Sequence, residues 1–186
     1  MTNFKLWVIR MVLPIVVLSS GTVYGDVMID DFEAGSNVDW DYLSDQVMGG
    51  VSEGSARLGR DENEAYAHMT GDVSTANNGG FIQLRTSLKS GADKNTKGVF
   101  IKVRGNNQKY YIHLRTRGTM LPWQYYQGGF DATEEWQLVR LPFEAFEASG
   151  SWLRNTPAPT SIRSIGVVAY GRDHQADIQI SEIGFY

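Results

Sequence analysis

The 186-residue sequence predicts an all-β protein, an antiparallel two-sheet sandwich of the jelly-roll type. Three observations carry this. Short runs rich in Val, Ile, Phe, Tyr and Trp recur at spacings of roughly 10 to 18 residues, bounded by Gly, Asn, Asp and Pro. No stretch holds a helical period for more than about two turns. Strands and helices do not alternate, no internal repeat is present, and no linker divides the chain. A closed up-and-down barrel is the alternative; the polar loops at 89–98 and 149–159 suit crossovers between sheets better than tight turns.

Taken in order, Val27 to Glu33 is the first strand, and Trp40 to Leu43 leads into a loop. Ser55 to Gly59 and Glu64 to Gly71 form a hairpin whose turn is Asp61-Glu62-Asn63. Asn77-Asn78-Gly79-Gly80 is a turn feeding the strand Phe81 to Ser87. Val99 to Arg104 and Lys109 to Arg117 are the clearest strands, joined at Gly105-Asn106-Asn107. Trp123 to Phe130 and Trp136 to Phe143 follow; Pro142 ends the latter, and Glu144 to Glu147 suits one helical turn. Ile162 to Tyr170 and Ala176 to Phe185 close the chain. In the last strand Ile178 and Ile180 share a phase that Ile183 and Phe185 break, which places a bulge near Ser181-Glu182.

Residues 1–25 read as an export signal: Lys5 and Arg10, the apolar run Met11 to Leu18, then small residues ending at Val23-Tyr24-Gly25. The apolar run is far shorter than the roughly 20 residues of a spanning helix. An exported, periplasmic or secreted protein is expected, with an uncleaved membrane anchor as the alternative. Residues 26–186 are then a single β-sandwich domain, long enough for a full core. Loss of Lys5 and Arg10 takes the formal charge from −4 to −6, which argues against nucleic acid as a partner. The chain has no cysteine, so neither a disulfide nor a thiolate metal site contributes.

One segment stands outside this periodicity. Asp45-Gln46-Val47-Met48-Gly49-Gly50-Val51-Ser52 sets a turn-forming acid before paired glycines, which lets two backbones approach with no Cβ between them. We expect a structural device: Asp45 caps the turn, Gly49 and Gly50 pack against Gly79 and Gly80, and Ser52 satisfies a nearby backbone group. Val47, Met48 and Val51 are expected to be buried. The competing reading makes this loop the rim of a binding pocket.

The ordered set Trp40, Asp45 to Ser52, Gly79-Gly80-Phe81, Val103-Arg104-Gly105 with Tyr110 or Tyr111, Trp123-Gln124-Tyr125, Trp136, Leu141-Pro142-Phe143 and Ile165-Gly166 resembles the complex I intermediate-associated protein 30 family. The resemblance spans about residues 29–186, and its most specific part is the Asp45–Ser52 segment. It implies a galactose-binding-like jelly roll. It also implies the role of the mitochondrial members, which are chaperone-like assembly factors for respiratory complex I. No catalytic residue and no cofactor follow from it.

Enzyme chemistry has little to stand on. His68, His113 and His174 lie on separate segments, without the close spacing of a metal site on one element. The acids Asp30-Asp31-Glu33 and Glu134-Glu135 alternate faces if they lie in strands, and are expected as solvated surface. The strand alternation is more informative. Ile82 and Leu84, Val99, Ile101 and Val103, and Ile112 and Leu114 point inward. If these strands are neighbours, one outer face gathers Arg85, Lys102, Arg104, Tyr111, His113 and Arg115, with Trp123 and Tyr125 at its edge. Rings and planar donors suit sugars, carboxylates or acidic protein segments. The bland alternative is an ordinary solvated sheet face. The sequence therefore predicts a binding module that holds a protein client or membrane-complex component, with an envelope glycan as the alternative ligand.

Overall fold

A computed structural model describes residues 25–62 and 64–186; the expected leader, apart from Gly25, and the hairpin-turn residue Asn63 lie outside the described residues. Among the described residues twelve strands are present: β1 (Val27–Asp30), β2 (Trp40–Ser44), β3 (Glu53–Arg60), β4 (Ala65–Val73), β5 (Phe81–Ser87), β6 (Gly98–Gly105), β7 (Gln108–Thr116), β8 (Tyr126–Ala132), β9 (Gln137–Pro142), β10 (Glu147–Ala148), β11 (Ile162–Tyr170) and β12 (His174–Phe185). They form two six-stranded antiparallel sheets. The first has the order β3-β4-β12-β6-β9, with β1 also pairing β12; the second has the order β10-β8-β7-β11-β5-β2. The expected sandwich is the observed fold.

The inward residues of both sheets close a single core. Val99, Ile101 and Val103 of β6, with Ile178, Ile180, Ile183 and Phe185 of β12, face Ile82 and Leu84 of β5, Ile112 and Leu114 of β7, and Ile165 and Val167 of β11. The predicted bulge is present: the β12–β6 register shifts between Ile180 and Glu182, which keeps isoleucines 180 and 183 on one side. Phe143–Ala145 is a short 3-10 turn after Pro142, close to the expected helical turn.

Strand order differs from expectation at one consequential place. The Gly105–Asn107 connection does not make β6 and β7 a hairpin. It carries the chain from the first sheet to the second. Most other corners switch sheets in the same way, so strands adjacent in sequence tend to lie on opposite faces of the molecule.

Candidate functional site

The Asp45 corner links two such crossovers, β2 to β3 and β4 to β5. Asp45 is fully buried. Its Oδ1 accepts from Ser52 N at 2.9 Å; its Oδ2 accepts from Ser52 Oγ at 2.5 Å, Gly80 N at 2.5 Å and Phe81 N at 3.2 Å. Burial alone would raise the Asp45 pKa; these four donors outweigh it and hold the carboxyl below its ordinary value. A Cβ on Gly50 or on Gly79 would fall well inside contact distance of the Asp45 carboxylate, and Gly49 has φ +91°. The two glycine pairs do meet, and what they meet around is a carboxylate. Val47, Met48 and Val51 were expected to be buried and are not; Val47 and Met48 are 72% and 64% exposed. Four charge-assisted hydrogen bonds pin the loop without them, so its apolar side chains are free to face outward.

The expected single cationic face is in fact two faces. Lys102 and Arg104 lie on β6 and point out of the first sheet, away from Arg85, Tyr111, His113 and Arg115. There, Lys102 pairs with Glu64 and lies 3.7 Å from Glu182. The Glu64 hydrogen bond raises the Lys102 pKa, and the Glu64 carboxyl, which burial alone would raise, is lowered chiefly by its hydrogen bond to Lys102. Arg104 bonds Gln179 at 2.6 Å and Asp61 at 3.1 Å, with its guanidinium 4.7 Å from the Trp136 ring centre and 5.8 Å from that of Tyr66. His68 meets Asp177 at 2.8 Å. This face is charge-matched, so it offers a ligand few free donors.

The outer face of the second sheet is built differently. Across it, Gln127 of β8, His113 of β7, Gly166 of β11, Arg85 of β5 and Asp41 of β2 stand in one row of the register. The next row holds Gly129, Tyr111, Val168, Gln83 and Leu43. Tyr125 stacks on His113 with ring centres 4.0 Å apart and planes 11° from parallel. Tyr170 packs edge-on against Tyr111, at 6.1 Å, and its hydroxyl meets that of Tyr125 at 3.1 Å. His113 also bonds Gln127 at 2.9 Å; burial under the stack pulls its pKa down to about 4. The imidazole is therefore a neutral ring at ordinary pH. Burial and the Tyr170 hydrogen bond push the Tyr125 phenol up.

Trp123 is 65% exposed beside this platform. Ser149 Oγ donates to Trp123 O at 3.0 Å and accepts from Tyr125 N at 3.0 Å, which fixes the segment carrying both rings. Arg115 Nη2 reaches back to the carbonyls of Leu121, at 2.8 Å, and Thr119, at 3.3 Å. Tyr126, next in sequence, is turned into the core. Thus six of the eight predicted face residues, namely Arg85, Tyr111, His113, Arg115, Trp123 and Tyr125, lie on or beside one face. Tyr170 and Arg163 join them and were missed.

One further difference concerns an acid. Asp30 is buried, and accepts from Trp40 Nε1 at 2.7 Å and Phe32 N at 3.0 Å; the fixed donors explain why a carboxylate is tolerated there. Among the described residues no group of three or more His, Asp or Glu is placed to hold a metal ion.

Two antiparallel sheets with this order define a jelly roll of the kind found in carbohydrate-binding modules. The family 11 module of the cellulase Lic26A-Cel5E of Clostridium thermocellum superposes with a TM-score of 0.69 at 16% identity, over 87% of this chain and 94% of that one. A family 30 carbohydrate-binding module gives 0.54 at 11% identity, over 74% and 91%. An exo-β-agarase gives 0.56 at 9% identity, over 86% of this chain and 25% of that one. At these identities the likeness is one of fold. A comparison with curated proteins finds no match. The particular family comes from a family model, complex I intermediate-associated protein 30, which matches residues 31–181. The chain belongs to that family.

Proposed function

We propose that this protein is an exported, non-catalytic binding module whose ligand is a glycan, held on the outer face of the second sheet. The observation that carries this reading is the contrast between the two outer faces. One neutralises its charges internally; the other presents Tyr111, Tyr125, Tyr170 and Trp123 with Arg85, Gln83 and Gln127 as planar donors and acceptors. Sugar rings stack their C–H faces on aromatic rings and exchange hydrogen bonds with such side chains. Support also comes from a fold relative of 16% identity, a family 11 module that was solved with a β-1,3-1,4-mixed-linked tetrasaccharide. Binding on a glycan array that falls with Tyr125→Ala and Trp123→Ala supports the reading; an array on which nothing binds overturns it.

A protein client is the second reading, favoured by the family and by Met120, Trp123 and Trp152, which are exposed apolar side chains. The cationic face on which that reading leaned has lost Lys102 and Arg104 to the opposite sheet. An envelope-protein pull-down that survives Tyr125→Ala but falls with Trp152→Ala distinguishes it.

A further inference from the structure

The second sheet's outer face has a corner that its aromatic platform does not explain. The β11–β7 register shifts between Ile162 and Ser164, so β11 carries one extra residue, Arg163, against β7. A bulge of this kind re-aims a side chain, and here it brings Arg163 beside Arg115. Arg163 Nη2 donates at 2.9 Å to the same Thr119 carbonyl that Arg115 Nη2 contacts at 3.3 Å. Arg85 stands one row away, beyond the side-chain-free Gly166. Burial, then the Arg163 and Arg85 charges, lower the Arg115 pKa.

Three guanidinium groups gathered without a counter-ion repel; the Thr119 and Leu121 carbonyls take up donors of Arg115 and Arg163. Among the described residues no carboxylate lies within ion-pair distance of Arg85, Arg115 or Arg163; Asp41 stands opposite Arg85 in register, yet no pair closes between them. Arg115 Nε has no hydrogen-bond partner. This corner is cationic on a chain whose formal charge is −4. Lys102, Arg104, Arg60 and Arg140, by contrast, each pair with an acid. Arg115 follows His113 by two residues, about 7 Å along the strand, so a sugar stacked on the Tyr125–His113 pair brings a ring substituent to the guanidinium groups.

We propose that the ligand is an acidic glycan, with the Arg85–Arg115–Arg163 corner receiving an oxyanion on a sugar beside the aromatic stack. The inference rests on the glycan reading above and adds the substrate class. A planar guanidinium fork matches a carboxylate or sulfate oxygen pair, and both a uronate carboxylate and a sulfate ester supply that chemistry.

Affinity electrophoresis tests it, with gels containing alginate or polygalacturonate (carboxylate), carrageenan (sulfate ester) or barley β-glucan (neutral). The wild-type chain is compared with Arg85→Gln, Arg163→Gln and, as an equal charge change elsewhere, the exposed Arg57→Gln. Arg85→Gln is the cleanest variant, because it leaves the backbone pairing of this position with Gly166 and Asp41 in place; near-ultraviolet circular dichroism checks each. The expected result is retardation by one acidic class, weakened about tenfold by Arg85→Gln or Arg163→Gln and unchanged by Arg57→Gln. Which polyanion retards the protein identifies the source of the oxyanion. Equal or exclusive retardation by β-glucan overturns the acidic inference while leaving the glycan reading intact. Retardation by polyanions that all three variants weaken equally also overturns it, as diffuse charge. No retardation in any gel overturns the glycan reading and this inference with it.

Discussion

Replacing Asp45 by asparagine changes one atom at the centre of the corner that joins β2, β3, β4 and β5. The carboxylate accepts four hydrogen bonds, one at Oδ1 and three at Oδ2. An amide must present its NH2 to one of these positions. The less costly orientation faces Ser52 N, which orphans one buried backbone donor at about 1–3 kcal/mol and weakens three charge-assisted bonds to neutral ones. The relief of burying an amide in place of a charge offsets part of this. A net loss of about 3 kcal/mol follows, or about 6–12 °C in Tm for a domain of this size. The sign with pH is fixed as well. A carboxyl held below its ordinary value of 3.8 contributes stability that is present above that value and lost as pH falls through the folded one. The Asp45→Asn deficit is therefore full at neutral pH and shrinks below about pH 4. Differential scanning calorimetry from pH 7 to 3 measures both. A variant that melts within 2 °C of wild type at pH 7, an indicative threshold, or a deficit that widens in acid, refutes the reasoning.

Other substitutions separate stability from binding. Gly50→Ala drives a Cβ into the Asp45 carboxylate and lowers Tm by several degrees, whereas Val47→Ser and Met48→Ser, on exposed side chains, leave it unchanged; thermal melts check all three. Arg104→Ala removes two ring contacts and two hydrogen bonds from the first sheet and costs about 1–3 kcal/mol, yet it leaves glycan affinity intact by titration calorimetry. His113, with its pKa pulled down to about 4, contributes stability that is present above its ordinary 6.5 and is lost as pH falls toward 4. Its imidazole resonances show a neutral ring at pH 6, and a protonated ring at that pH contradicts the burial argument.

What the sequence discloses depends on whether a side chain's orientation or its sheet is in question. Alternation along Phe81 to Ser87, Val99 to Arg104 and Lys109 to Arg117 sorts inward from outward residues correctly, and the isoleucine phase break at 180–183 locates a bulge. Neither pattern tells which of two sheets a strand joins, because both sheets bury one face with the same period of two. A three-residue Gly-Asn-Asn connection reads equally well as a hairpin or as a crossover. For that reason Lys102 and Arg104 were expected beside Arg85 and lie on the far side of the molecule. Arg163 had a signal: Ile162 and Ile165 are both apolar yet three residues apart, the same phase break that disclosed the other bulge. The exposure of Met48 had none, since hydrogen bonds to Asp45 from Ser52 and from the distant Gly80 and Phe81 replace the apolar anchoring that its composition suggests. Asp30 is similar: the Trp40 indole that stabilises it belongs to another strand.

The central claim is that the aromatic outer face of the second sheet binds a sugar chain while the charge-matched face of the first sheet does not. Nuclear magnetic resonance titration with the oligosaccharide of whichever polysaccharide retards the protein tests it residue by residue. The account predicts shifts at the Tyr111, His113, Tyr125 and Tyr170 rings and the Trp123 indole, with the Trp136 indole unmoved. Shifts centred on Trp136, Tyr66 and Arg104, with the Tyr125–His113 stack unaffected, contradict it.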